Sequence, residues 1–270
     1  MLDGTFGCIV GTAIKRRLAD EAQKIMTSNA KLAVLIDADN AQASIIKELL
    51  TEVSTFGTAS VKRAYGDWTT PNLKGWKEIL HLMAIQPIQQ FSYTTGKNST
   101  DSSLIIDAMD LLHSGKLDGF CLVSSDSDFT RLATRIRESG LAVYGFGERK
   151  TPPAFVAACD KFVYTEILRP VTLPPSAEKQ QKPLHALAPV SLDADTREVL
   201  RKAIIAAARD DGFASLSGVG SLILKNNPAF DPRHYGCQKL SELVRRLPFV
   251  EIKEVQSEKN PAMHLYIKLK

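Results

Sequence analysis

The chain has 270 residues, 44% of them hydrophobic and 24% charged, which is the composition of a folded globular protein long enough for two domains. Its formal net charge of +4 permits contact with nucleic acid but is too small to argue for it alone. The four cysteines, Cys8, Cys121, Cys159 and Cys237, show no CxxC pair and no metal spacing. That excludes a disulfide scaffold or zinc module and points to reduced thiols in the cytoplasm.

Residues 6–14 are apolar and are followed by Lys15, Arg16 and Arg17. A secretory signal carries its charge before the apolar stretch, and this run is too short to span a bilayer, so no membrane partner is expected. Residues 1–28 form an N-terminal extension, with a helix expected over 13–26. From Lys31 onward, short β-rich runs alternate with helical periodicity, the pattern of a parallel α/β sheet flanked by helices. Strands are predicted over 32–37, 59–65, 85–91, 119–124, 142–147 and 162–165, and helices over 42–53, 72–84, 101–113, 128–139 and 153–159. Gly57, Gly115 and Gly140 stand where helices turn back. The run 119–124 is apolar nearly throughout, as suits a central strand covered on both faces. Residues 29–168 thus make one α/β domain. Pro170, Pro174, Pro175, Pro183 and Pro189 among polar residues mark 169–192 as a semi-stiff linker. Residues 193–270 have a different pattern: helices over 196–208, 217–225 and 238–246, then strands over 249–254 and 264–268. Three helices and a hairpin make a small winged-helix domain of the helix-turn-helix class.

Aspartates stand at three points where strands end or helices begin. Asp37 directly continues the apolar run from Leu32 to Ile36, Asp101 opens a helical pattern, and Asp126 and Asp128 follow the strand over 119–124. In an open parallel sheet the carboxyl ends of the strands line the ligand crevice. Carboxylates gathered there repel one another unless a cation shares them, and hard oxygen ligands suit Mg²⁺ or Mn²⁺. One of Asp126 and Asp128 can cap the helix that follows, which leaves the other unexplained; Asn40 suits a cap as well as a ligand. Asp39 stands in the same turn and also suits a cap, Asp107 is a reserve ligand, and Ser124 and Ser125 can hydrogen-bond the carboxylates from behind. Such a set could hold one or two ions that activate water for attack on a phosphodiester, without a histidine base. Lys62, Arg63, Lys74, Lys77 and Lys97 could supply positive charge to the crevice, and Trp68 and Trp76 stacking faces.

Four segments occur in order: Leu35-Ile36-Asp37-Ala38-Asp39-Asn40, Ala64-Tyr65-Gly66-Asp67-Trp68, Gly96-Lys97-Asn98 with Asp101 and Asp107-Ala108-Met109-Asp110, and Ser124-Ser125-Asp126-Ser127-Asp128-Phe129. Together they resemble the NYN domain, a PIN-like nuclease fold, over residues 31–167. The resemblance implies a metal-dependent ribonuclease, with Asp37, Asp101, Asp126 and Asp128 as its acidic cluster, Asp39 as a further ligand or a residue just outside that set, and Mg²⁺ or Mn²⁺ as its cofactor. PIN-like nucleases often dimerise, so it also implies a homodimer. The segment 230–243, Phe230 to Leu243, resembles the core of the OST-type winged helix, or LOTUS domain. That implies an RNA-binding module, with Tyr235, Lys239, Arg245 and Arg246 as candidate contacts; the three basic residues equally suit a solvated charged face. Two other functions compete with the nuclease: an RNA-binding adaptor that has the fold without turnover, and an aspartyl-phosphate phosphatase using Asp37 and Asp39. The phosphatase ranks below, because Ala41 stands where such enzymes usually carry Thr or Val.

Overall fold

A computed structural model describes residues 30–91, 99–169, 192–257 and 260–270. The first domain is built on strand β1 (Lys31–Asp37), in which every residue after Lys31 is buried. Leu32, Val34, Leu35 and Ile36 contribute about 1.5–3 kcal/mol each by leaving water. Helix α1 (Ile46–Val53) and strand β2 (Thr58–Gly66) follow, then helix α2 (Trp76–Leu82) and strand β3 (Gln86–Gln89). Helix α3 (Ser99–His113) crosses to the wholly buried strand β4 (Gly119–Val123). Helix α4 (Thr130–Glu138), strand β5 (Ala142–Gly147), helix α5 (Pro153–Ala158) and strand β6 (Lys161–Tyr164) complete the domain.

The six strands make one parallel sheet in the order β3-β2-β1-β4-β5-β6. One core lies on each face, the first around Phe120, Phe129 and Phe155 and the second around Val34, Leu49 and Trp76. The chain runs outward from β1 to β3, then returns to place β4 on the other side of β1. Strand order therefore reverses between β1 and β4, and the crevice of such a sheet opens at the carboxyl ends of those two strands.

The α/β architecture agrees with the sequence pattern, and the differences are local. Three helices begin later than their periodicity suggests, because 3₁₀ turns at Ala43–Ile45, Pro71–Leu73 and Ser127–Phe129 precede them. Gly115 and Gly140 adopt left-handed φ angles of 65° and 82°, as helix-ending glycines do. Gly57 is needed for a different reason: a Cβ there would lie 2.4 Å from the Ala30 carbonyl oxygen. Strand β3 is shorter than expected and carries Pro87, which suits its place at the sheet edge.

The C-terminal domain has helix α6 (Ala194–Ala207), strand β7 (Ala214–Ser215), helix α7 (Leu216–Asn226), helix α8 (Leu240–Arg245) and strands β8 (Val250–Ser257) and β9 (Asn260–Leu269). The helices and the antiparallel sheet, ordered β7-β9-β8, enclose a third core around Leu200, Val219, Leu243 and Ile267.

The two domains are docked. The Phe162 amide of β6 donates to the Pro228 carbonyl at 2.9 Å, and Ala229 packs against the first core. Arg233 then ties the domains with charge. Its guanidinium donates to both Glu52 oxygens of α1 at 2.9 Å and to both oxygens of Asp231, at 2.9 and 2.7 Å. Lys161 lies 3.9 Å from Glu52. Burial pushes the Asp231 carboxyl up, but its bonds from Arg233 outweigh that and hold it below the usual carboxylate range. The expected helix over 13–26 and most of the proposed linker lie outside the described residues.

Candidate active site

The site grows from the tip of β1. Asp37 is 1% exposed and is buried because the strand carries it into the sheet before the chain turns. Burial raises its pKa, and hydrogen bonds from Asn40 and Ser124 oppose the rise. The Asn40 side-chain amide donates to Asp37 Oδ2 at 2.6 Å and the Ser124 hydroxyl donates to the same oxygen at 2.8 Å. Oδ1 accepts the Asn40 backbone amide at 3.3 Å. Ser124 in turn accepts the Asp126 amide at 3.1 Å, so one hydroxyl connects the acid of β1 to the loop after β4.

Asp126 is the residue that caps the following 3₁₀ turn, its Oδ1 accepting the Asp128 amide at 2.9 Å. Asp101 enters from the first turn of α3, at the same edge of the sheet. Asp101, Asp126 and Asp128 each place a carboxylate oxygen so that all three lie within 4.8 Å of one another. Burial comes first in raising the Asp101 pKa to about 6, followed by the charges of Asp37, Asp126, Asp128 and Asp39. Asp37 therefore lies close enough to act on Asp101 but outside the mutual set of three. Asp39 is exposed and accepts the Thr100 hydroxyl at 3.0 Å, which links the turn after β1 to the start of α3.

This donor set fits a hard divalent cation: three converging oxygens, a fourth acid beside them, and a carboxyl whose pKa is raised by burial and by its neighbours' charge. The same geometry disfavours Asp37 as a phosphatase nucleophile, because it is enclosed and one of its oxygens takes two donors.

The remaining predicted residues take varied places. The Ser125 hydroxyl accepts the Glu148 amide at 2.8 Å, which braces the ends of β4 and β5 against each other. Asp107, the reserve ligand, binds the Arg63 guanidinium and the Tyr65 hydroxyl instead. Trp68 donates its indole N–H to the Ile88 carbonyl at 3.0 Å and meets Trp76 edge-on, with centroids 6.4 Å apart. With Lys74, Lys77 and Pro87 it lines an open pocket of about 490 Å³. Lys62 is engaged with the Met83 carbonyl. Lys97 lies outside the described residues.

In the C-terminal domain the Tyr235 hydroxyl bonds Asp193 at 2.9 Å and Thr196 at 2.6 Å. Lys239 is exposed at the start of α8, while Arg245 pairs with Glu254 and Arg246 with Glu242. Sequence reasoning did not single out Glu52 or Arg233. For Arg233, the one local signal was an arginine two residues after Asp231.

No helix among the described residues is long and apolar enough to cross a membrane. Comparison with curated proteins finds no match. Among solved structures, a protein of unknown function from Vibrio parahaemolyticus is 20% identical over 51% of this chain and 93% of its own, with a TM-score of 0.43. An uncharacterized protein from Nitrosomonas europaea is 27% identical over 36% of this chain and 92% of its own, with a TM-score of 0.27. A fragment of a Chromobacterium violaceum protein is 38% identical over 30% of this chain and 86% of its own, with a TM-score of 0.24. The family model of the NYN domain matches residues 31–168, about half the chain, and that of the OST-HTH/LOTUS domain matches residues 191–261. With its acidic cluster at the reversal point of a six-stranded parallel sheet, the chain belongs to the NYN domain family, a PIN-like nuclease fold, here followed by a LOTUS domain.

Proposed function

We propose that this protein is a ribonuclease that depends on Mg²⁺ or Mn²⁺, works in the cytoplasm and holds its RNA partly through the LOTUS domain. The observation that carries the proposal is the convergence of Asp101, Asp126 and Asp128 beside the enclosed Asp37. Asp101, Asp126 and Asp128 would hold the cation, and Asp37 would add charge from behind, fixed in orientation by Asn40 and Ser124. A bound divalent ion supplies a water of lowered pKa and neutralises charge developing on the phosphate. Asp126 also keeps the loop after β4 in place by capping its turn, so cluster and loop are ordered together. Cys121, Cys159 and Cys237 are free and buried, in keeping with a reducing compartment.

The test is cleavage of single-stranded RNA with Mn²⁺ or Mg²⁺ by wild type and Asp126→Asn, with an EDTA control. Asparagine preserves the cap while removing the charge. Cleavage that vanishes in both controls supports the proposal. RNA binding that survives Asp126→Asn, with no cleavage of any RNA by wild type, favours a non-catalytic adaptor.

A further inference from the structure

The docked domains form an open cleft of about 360 Å³ lined by Arg149 and Tyr164 of the first domain and Asp193, His234 and Tyr235 of the second. The volume falls within the range of small-ligand sites, about 300–1,000 Å³. Tyr164 ends β6, and Arg149 lies just beyond the end of β5, so the cleft opens at the same carboxyl edge of the sheet as the aspartates. Strands lie about 4.8 Å apart, which puts β6 about 10 Å from β4. That separation is short enough for one single strand to reach both places within a few nucleotides.

The lining has the chemistry of a nucleotide site. The Tyr164 and His234 rings stand 5.6 Å apart at 48°. Tyr235 is fixed by the bonds of its hydroxyl to Asp193 and Thr196, so its ring presents a set face. Burial holds the Tyr164 and Tyr235 hydroxyls above their usual pKa and His234 below its own, and the exposed Arg149 guanidinium lies close enough for its charge to act on all three. Rigid rings beside a cation are what a base and its phosphate require. Neither domain has this cleft alone; it exists because Arg233 and the Phe162–Pro228 bond hold the two together.

We infer that the cleft between the domains is a subsite for single-stranded RNA: it takes a nucleotide a few positions from the bond presented to Asp101, Asp126 and Asp128, with Arg149 on a phosphate and Tyr164 and His234 against the base. This rests on the nuclease reading above and adds that docking of the LOTUS domain sets where along the strand the bond is presented.

The test uses the full chain in EDTA, with fluorescent single-stranded RNA, comparing wild type, Arg149→Ala and Arg149→Lys. Arg149→Ala should weaken binding about tenfold and lower the slope of log affinity against log salt by about 0.7, the loss of one phosphate contact, while Arg149→Lys keeps most of both. RNA bearing 4-thiouridine should crosslink to peptides containing Tyr164 and His234. Unchanged affinity and slope in Arg149→Ala, or crosslinks confined to other surfaces, would overturn the assignment, and so would failure of wild type to bind RNA. Cleavage assays in parallel separate the two ideas. Arg149-dependent binding without cleavage sinks the nuclease and keeps the cleft, whereas Asp126-dependent cleavage with Arg149-independent binding does the reverse.

Discussion

Replacing Arg233 with methionine should cost the chain about 3 kcal/mol. The guanidinium makes four hydrogen bonds, two to Glu52 and two to Asp231. Without it, two carboxylates whose side chains are 13% and 8% exposed remain without their main counter-charge. Removing one partner of a buried ion pair costs about 3–5 kcal/mol, chiefly by leaving the other charge stranded. The lower end applies, because Arg233 is itself 27% exposed and Lys161 remains 3.9 Å from Glu52. A double-mutant cycle isolates the contact between domains. Arg233→Met, Glu52→Gln and their combination are unfolded in urea, and the coupling energy should reach about 1.5–3 kcal/mol. The single variants should also become more sensitive to proteolysis at the domain junction. Coupling below about 0.5 kcal/mol, the level at which independent sites add, would refute the idea that this pair holds the domains together.

Other consequences can be measured as directly. Ser124→Ala removes one donor from Asp37 Oδ2 and the acceptor of the Asp126 amide; a loss of about 1–3 kcal/mol is expected in urea unfolding, together with weaker Mn²⁺ binding. Asp101 has a folded pKa of about 6, raised from 3.8, first by burial and then by its carboxylate neighbours. Its folded form holds the proton more tightly than the unfolded chain does, so its stabilising effect is full below the unfolded value and is lost as pH rises through about 6. In EDTA, the melting temperature of wild type relative to Asp101→Asn should therefore fall between pH 4 and pH 7, and a constant difference would contradict the crowding of charge. Gly147→Ala would place a Cβ 2.6 Å from both the Ser124 carbonyl oxygen and Thr151 Oγ1; a destabilisation of about 1–3 kcal/mol is expected by denaturant titration.

What the chain disclosed in advance follows from the range of each interaction. Residues 32–36 and 119–123 declare buried strands because each is a continuous apolar run, and Asp37 stands out because a carboxylate ends such a run with no local task. The helices show through their periodicity, but not their first residues, since a 3₁₀ turn uses the same capping chemistry as an α-helix. That is why the Asp126–Asp128 pair was legible as one cap plus one further acid without revealing that Asp126 was the cap. Contacts between distant positions leave no local pattern. Arg63 meets Asp107 across 44 residues and Arg233 meets Glu52 across 181, and neither pair could be read from the sequence. Strand β7 has two residues, too few for any alternation to register.

The Phe162–Pro228 bond has a further meaning for the sheet as a whole. An exposed outer strand is a template on which other chains can pair and aggregate. At one margin of this sheet Pro87 cannot donate to a newcomer, and at the other the Phe162 amide is already taken by the LOTUS domain. The second domain thus acts as an end-stop that keeps the nuclease fold from growing strand by strand. Removing the second domain would free the Phe162 amide of β6, and self-association of the first domain along that strand would then be a product of the removal, distinct from any pairing of the intact protein.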